Sequence, residues 1–535
     1  MQRASTVVFI SGFVAVVAQT LIIREALVQF SGNELVSGIL LCFWLIWGGI
    51  GSILFSSLRL KSKPARVYAI LLGFLFILQV FSLCFIRVAP RIFNLPVGEV
   101  IDLGRIVLIS VLTLAPVCMV VGALFPAASR ILQPERVYFL EGLGAFVGGI
   151  LFSFLLVVIL PPFGIILLSC IILMLAAVYF LQIMRLLWTP LLLVVVFPWV
   201  GSIETYFRKV QMGDVDLVGL QESRYGVIAV TRSGDQHNFY TNGLYDFSYP
   251  DQYSSEEAVH YALLLHPDPE DILLVGGGIG HSITEVLKHP SIDNITYVEL
   301  DPMLFDMGQK YLGESLSSSE KLTIIFGDAR HFVKNSGLEY DVVIVNLPDP
   351  VNAQINRFYT KEFFEEASNI ITPGGLISVR VTAPPNIIGP LYGQLLRTVR
   401  NTLNTVFCNI VVLPAAKMTF IASNGVLAAE DIVDTLSARI KRRELQVTYV
   451  NEYYFRYDLS AEKLDYLNER IAGSVGSVNS DIKPVCYYFS SILWGGILSS
   501  SARKIFVGLF DIPMVFFLLP LLLIFFFYRR MSIVY

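Results

Sequence analysis

The stretch from Ile272 to Asp301, ILLVGGGIGHSITEVLKHPSIDNITYVELD, constrains the fold more than any other part of the chain. Four apolar residues, Ile272 to Val275, run into Gly276, Gly277 and Gly278, and Gly280 follows after Ile279. Ser282 to Lys288 has helical character and Ile295 to Leu300 reads as a second strand, so the order is strand, glycine turn, helix, strand, acid. Glycines at such a turn reach positive φ and let a ligand approach the backbone closely. A carboxylate at the tip of the next strand can accept both hydroxyls of a ribose. Glu299, 19 residues after Gly280, stands at that tip.

The continuation repeats the pattern. Thr323 to Phe326 is a third short strand ending in Gly327-Asp328-Ala329, which puts a carboxylate where a bound nucleoside would present its adenine amino group. Asp341 to Val345 is a fourth, entering Asn346-Leu347-Pro348-Asp349-Pro350, and Ile371 to Val379 holds a turn and a fifth strand. Acid-tipped parallel strands converge on one crevice at their carboxyl ends, where ligands bind in open α/β sheets. Glu299 or Asp328 taken alone reads equally well as a helix cap or a loop carboxylate. Together with the glycine turn they predict a nucleoside-binding α/β domain.

That domain sits inside a membrane-like chain. Of 535 residues 55% are hydrophobic, and the mean hydropathy is +0.65, too apolar for one soluble protein, although the middle third is ordinary in polarity. Runs long enough to cross about 30 Å of hydrocarbon occur near 6–30, 35–58, 67–88, 106–129, 138–160, 163–184 and 505–528. A further run, 186–203, holds Pro190 and Pro198 and either spans or lies in the interface. The first run holds Arg24 and Glu25 and lacks a small-residue cleavage site, so it is not a removable signal. Arg59, Lys61, Lys63 and Arg66 crowd the second loop, whereas the first has no Lys or Arg. The positive-inside rule makes the second loop cytoplasmic. With six spans before residue 186 the amino terminus and the soluble domain then both face the cytoplasm; a seventh at 186–203 would put the domain outside, away from a cytosolic adenosyl compound. The third loop, with Arg87, Arg91 and Arg105 against Glu99 and Asp102, fits the rule poorly.

Other features narrow the function by exclusion. The six cysteines include no CxxC pair, so neither a disulfide framework nor a zinc site is implied, and no metal is expected. A net charge of −4 and a soluble part without a Lys/Arg cluster speak against nucleic acid as a partner. Gly48-Gly49-Ile50-Gly51 and Gly142 to Gly149 suit close helix packing in a bilayer. Arg24, Glu25 and Glu141 lie in or at the edge of spans, where an ionisable group is either functional or part of a structural ion pair.

With these motifs in hand, residues from about 204 to 490 resemble the spermidine synthase family of aminopropyltransferases, in its membrane-bound bacterial branch. The similar stretches are Glu222-Ser-Arg-Tyr-Gly226, Tyr240-Thr-Asn-Gly243, Glu256-Glu257 with His260, the glycine turn, the strand end at Glu299, Gly327 to Arg330, Asn346 to Pro350, Arg357 to Thr360 and Asn479 to Pro484. In the membrane half Gly122 to Pro126 and Glu141 to Ala145 also look like that branch. The resemblance implies a multi-pass helical membrane domain (1–203), a small β subdomain (204–255), an α/β Rossmann-like domain of S-adenosylmethionine-dependent methyltransferase type (256–490) and a carboxyl-terminal anchor (491–535). Independent reading agrees at the β subdomain: Gly226 to Thr231 alternates before the turn Ser233 to Gln236, and Asn238 to Thr241 returns as a hairpin should.

The resemblance also implies a donor, decarboxylated S-adenosylmethionine or S-adenosylmethionine itself, held by Gly276, Gly277, Gly278, Ile279, Gly280, Glu299, Asp328 and Ala329. A polyamine-like amine acceptor would meet Asp246, Glu256, Glu257, His260 and Tyr487, with Asp349, Asn346 and Tyr359 at the reaction. His260 and Asp349 have plainer readings, a packed helix residue and a turn cap. Soluble family members read GGGDG at the turn and begin the later loop with Asp, where this chain has Ile279 and Asn346. Losing those carboxylates removes a charge-assisted bond to an ammonium, roughly 1.5–3 kcal/mol, and removes repulsion toward a donor carboxylate. The expected function is therefore a membrane-bound transferase that alkylates an amine from an adenosyl sulfonium. A methyltransferase on the same fold, and a non-catalytic nucleoside-binding sensor or transporter, are the alternatives. The expected location is a bacterial cytoplasmic membrane, with the domain inside and a homo-oligomer left open.

Overall fold

The computed structural model describes residues 2–496 except 31, 33, 60–61, 96–97, 99–100, 184–187, 313–318, 428–431 and 473–476. The run near 505–528 lies outside the described residues. The amino-terminal part forms seven helices long and apolar enough to cross a membrane: α1 Gln2–Gln29, α2 Glu34–Ser57, α3 Pro64–Ile92, α4 Leu103–Ala128, α5 Pro134–Ile159, α6 Pro162–Leu181 and α7 Trp188–Met212.

Of the six or seven helices left open by the sequence, the structure forms seven. Around Pro198 the chain tightens into a short 3-10 turn without stopping, so the run near 186–203 continues as a helix to Met212. It runs antiparallel to α6: Thr189 contacts Met174, and Phe163 N–H faces Glu204 while the Phe163 and Phe207 rings lie 4.9 Å apart. The domain boundary expected at 203/204 therefore falls inside α7 and moves to about residue 213.

Glycine decides how the helices meet. A Cβ on Gly122 would lie 1.9 Å from the Gly48 carbonyl oxygen, and one on Gly144 would lie 2.0 Å from that of Phe9. The helix pairs α2–α4 and α1–α5 thus touch backbone to backbone, as the small-residue stretches predicted.

Both bundle ends are defined by contacts. At one end the start of α1, the α2–α3 and α4–α5 turns and the end of α6 come together, with Arg3 over the Tyr179 ring and Arg130 bonded to the Leu58 carbonyl. The other end abuts the soluble domain: Gln211 bonds Gln29, Glu34 accepts from Ala353 N–H, and Gly98 bridges Leu244. A buried ion network locks this junction. Arg87 reaches Glu25 at 2.6 Å and Glu204 at 2.7 Å; Arg208 reaches Glu204 at 3.1 Å and Glu222 at 3.0 Å. Arg24 and Glu25 thus pair with other residues, and Arg87 is a bundle residue, which is why the third loop fitted the charge rule poorly.

The soluble part begins with an antiparallel sheet, β1 Asp216–Glu222, β2 Val227–Ser233, β3 Gln236–Thr241 and β4 Leu244–Tyr249, in sequence order. Two-residue turns join β2 to β3 and β3 to β4; in the second, Asn242 and Gly243 both have positive φ, as such a hairpin demands. The main sheet holds β5 Asp271–Val275, β6 Asn294–Glu299, β7 Leu322–Phe326, β8 Tyr340–Val345, β9 Ile371–Val381, β10 Asn409–Pro414 and β11 Met418–Ser423, ordered β10-β11-β9-β8-β5-β6-β7. Strands β9, β8, β5, β6 and β7 are parallel, while β10 and β11 add an antiparallel edge. Ile272 to Val275 and Val342 to Val345 are fully buried, as central parallel strands covered on both faces require.

Candidate nucleoside-binding active site

The chain leaves β5 through Gly276 and Gly277, both left-handed at φ +65° and +61°. A Cβ on Gly277 would lie 2.4 Å from Asn346 Nδ2, and one on Gly280 would lie 2.9 Å from the Phe247 ring. Only glycine fits between β8 on one side and β4 on the other. Because β4 presses on this turn, its Asp246 is carried toward the crevice.

Glu299, at the end of β6, is 7% exposed. One oxygen accepts from Tyr297 Oη at 2.5 Å and the other from Asp301 N–H at 3.1 Å, so each keeps a lone pair for a further donor. Burial pushes its pKa up to about 7. A buried carboxylate with spare acceptors beside a left-handed glycine turn fits a pair of ribose hydroxyls.

Asp328 is more committed than expected. Its Oδ1 caps the helix Ala329–Asn335 by accepting from Arg330 and His331 N–H, and its Oδ2 accepts from Arg357 at 2.7 Å. Burial acts to raise its pKa, but the Arg357 guanidinium and the two N–H donors bring it below the usual range. The plainer cap reading thus holds for this residue, and Ala329, the first residue of that helix, is buried.

Several expected site residues are structural. Ile279 is buried against Gly308, whose missing side chain leaves its room, so this residue offers the crevice no side chain. Glu256 is fully buried and accepts from Thr448, Tyr449 and Val450 N–H, pinning that loop rather than an acceptor. His260 is enclosed between Glu285 (3.0 Å) and His289 (2.9 Å), with Arg443 beyond, so its plainer reading also holds. Tyr359 is fully buried and donates to the Arg380 carbonyl at 2.8 Å, bracing β9. Tyr487 lies on the helix Val485–Gly496 and its N–H bonds Asn356, away from the elements that carry Asp246 and Glu257.

What gathers at the crevice is Asn346, Asp349, Asp246, Glu257 and two residues that sequence reasoning missed, Arg380 and Lys417. Asn346 Nδ2 reaches the Gly277 carbonyl and Ser282 Oγ, both at 3.3 Å, and its Oδ1 faces Arg380 Nη1 at 3.5 Å. Asp349 accepts from Thr382 N–H at 2.8 Å. Glu257 accepts from Ala416 N–H, and burial raises its pKa; burial likewise raises that of Asp246. The signal for Arg380 was present in the sequence, as the one charge in the apolar run Leu376 to Val381.

A cavity of about 640 Å³ adjoins the crevice beside the end of β6. Val157 to Pro161 at the end of the bundle form one wall, and Glu222, Ser223, Asp301, Phe326 and Gly327 line the domain side.

Parallel sheet, left-handed glycine turn and a buried strand-tip carboxylate define an α/β domain with a candidate ligand crevice at the carboxyl ends of its strands. Residues 252–426 match the family model described as "Spermine/spermidine synthase domain". A polyamine aminopropyltransferase 2 of Hyperthermus butylicus is 32% identical over 194 residues, 36% of this chain and 61% of that protein. The polyamine aminopropyltransferase of Oceanobacillus iheyensis is 33% identical over 196 residues, covering 35% and 38% respectively. The chain thus spans less than two thirds of the length of these relatives. Among solved structures, a spermidine synthase in complex with the transition state analogue AdoDATO aligns at a TM-score of 0.42 and 21% identity, over 48% of this chain and 88% of that one.

Proposed function

We propose that the domain binds an adenosyl sulfonium and transfers an alkyl group from it to an amine. The observation that carries this reading is Glu299, buried at the strand tip with an unused acceptor on each oxygen, beside a turn that only glycine can make. The relatives' names, polyamine aminopropyltransferases, support decarboxylated S-adenosylmethionine as donor and a polyamine-type amine as acceptor. In the reaction the amine lone pair attacks the carbon bound to sulfur. The C–N bond forms as the C–S bond breaks, its electron pair returns to sulfur as a neutral thioether, and the new ammonium gives up a proton. Asp349, with one oxygen fixed by Thr382, is the base we assign to that proton.

A second reading, a methyltransferase using intact S-adenosylmethionine, is favoured by one observation: Arg380 and Lys417 set two cations at the crevice beside Asn346. Incubating the purified full chain with each donor and a diamine, followed by product mass spectrometry, separates the two. Aminopropyl addition supports the first and methyl addition the second. Absence of either product, from protein that binds the donor, would leave a nucleoside-binding sensor.

The seven apolar helices support placement in a membrane, and we take a bacterial cytoplasmic membrane as the setting. The cavity between bundle and domain, which opens beside the end of β6, supports entry of a ligand from the bundle side.

A further inference from the structure

Arg380 lies on β9, one strand from the glycine turn's neighbour β8, and is 4% exposed. Its Nε has no hydrogen-bond partner, and Nη1 makes only two long contacts of 3.5 Å, to the Ser254 carbonyl and Asn346 Oδ1. Lys417, in the turn before β11, adds a second cation close enough to feel the Arg380 charge. Among the described residues neither cation has a carboxylate within the 4.0 Å of an ion pair. The acids that surround them are Glu257, Asp349, Asp251 and Asp246. Three of these are held by backbone N–H groups, Glu257 by Ala416, Asp349 by Thr382 and Asp251 by Ser254. A guanidinium taken out of water needs a charge-assisted partner, and a buried unpaired one is among the costliest groups a fold can carry. Arg380 also touches Asn346, which touches the glycine turn, so the missing partner would stand beside the reacting centre.

We propose that Arg380 and Lys417 form a carboxylate subsite in this crevice, so that one of the two substrates carries a carboxylate near its reacting end. The proposal rests on the adenosyl-transfer reading and narrows it. A simple diamine offers Arg380 no acceptor, whereas a carboxylate would give it the planar acceptor its fork geometry fits. Two sources share that chemistry: the amino-acid end of intact S-adenosylmethionine, or an amino-acid acceptor.

The test is calorimetric binding to the full chain in detergent with two ligand pairs that differ by one carboxylate each, S-adenosylmethionine against its decarboxylated form and ornithine against putrescine. Methylthioadenosine, which has neither carboxylate nor amine, reports the nucleoside site alone. In at least one pair the carboxylate-bearing member should bind roughly ten- to a hundredfold tighter, the range of one charge-assisted bond. Arg380→Gln should erase that preference and leave methylthioadenosine unchanged, and Lys417→Met, at a less buried position, should weaken it if Arg380→Gln does not fold. Discrimination in the first pair assigns the carboxylate to the donor, and in the second to the acceptor. Equal binding within both pairs, or a preference that survives both substitutions, overturns the subsite. Failure of methylthioadenosine to bind a folded protein overturns the adenosyl reading by itself, since the ornithine pair still reports on Arg380.

Discussion

At the scale of the residue, the roles proposed for Glu299 and Asp349 make separable predictions. The folded pKa of Glu299, about 7, lies above its free value of 4.5. Its ionisation therefore opposes folding: the stability linked to the protonated form is full below about pH 4.5 and is lost as pH rises through about 7. A ribose that donates to the carboxylate favours the ionised form, so ligand binding should release a proton near neutral pH and affinity should climb with pH. Calorimetry in buffers of different ionisation enthalpy reads this directly, and a release that persists in Glu299→Gln contradicts the assignment. Asp349→Asn should lower turnover roughly 100- to 10,000-fold, the usual worth of a general base, with donor affinity unchanged; a loss confined to KM would make Asp349 a binding group instead. The place of Glu299 at a strand tip was legible because the glycine turn before it fixes the strand order, and the structure buries it there. The sequence misled at Ile279, Glu256, His260 and Tyr359, because whether a side chain turns into a crevice or into a core depends on contacts such as Gly308 and the 448–450 backbone that lie far off in the chain.

Among the elements, α7 changes the account most. Hydropathy weakens at its end because Glu204 and Arg208 interrupt the apolar pattern, yet both are buried against Arg87 and Glu25. That is why a run read as ending near 203 continues to Met212. Removing one partner from a buried ion network strands the others, so Arg87→Met should destabilise the protein by about 3–5 kcal/mol. Thermal unfolding in detergent measures it, and an unchanged Tm would mean that the network does not hold the junction. Backbone contact makes a similar demand on α2 and α4: Gly122→Val places methyls where only 1.9 Å separates a Cβ from Gly48 oxygen, and should lower the yield of folded protein sharply, whereas Gly49→Ala, with nothing near it, should not. The glycine stretches announced these contacts in the sequence. The antiparallel edge β10–β11 went unread because its short apolar strands carry no terminal acid or glycine turn to mark them.

For the whole molecule, helix count and loop charge now point the same way. Seven helices put the amino terminus, with Arg3, and the turns holding Arg59, Lys63, Arg66 and Arg130 at the bundle end opposite the soluble domain. We propose, by the positive-inside rule, that this end is cytoplasmic and the domain faces outward, the reverse of what six spans would give. In a background with Cys42→Ser and Cys408→Ser, a membrane-impermeant maleimide on intact cells should label Asp235→Cys on the β2–β3 turn and leave Ser62→Cys unlabelled. The opposite pattern would return the domain to the cytosolic supply of adenosyl donors. An outward domain must instead receive its nucleoside through the bundle or from outside, which gives the cavity at Val157 to Pro161 its interest. Whichever face it occupies, the account stands on the adenosyl site. Its most direct test is calorimetry of the purified full chain with methylthioadenosine and with S-adenosylmethionine in both its forms. The account predicts saturable one-to-one binding that Glu299→Ala weakens by about 1–3 kcal/mol. Absence of binding by every one of these ligands, or affinity untouched by Glu299→Ala in a folded protein, would contradict it.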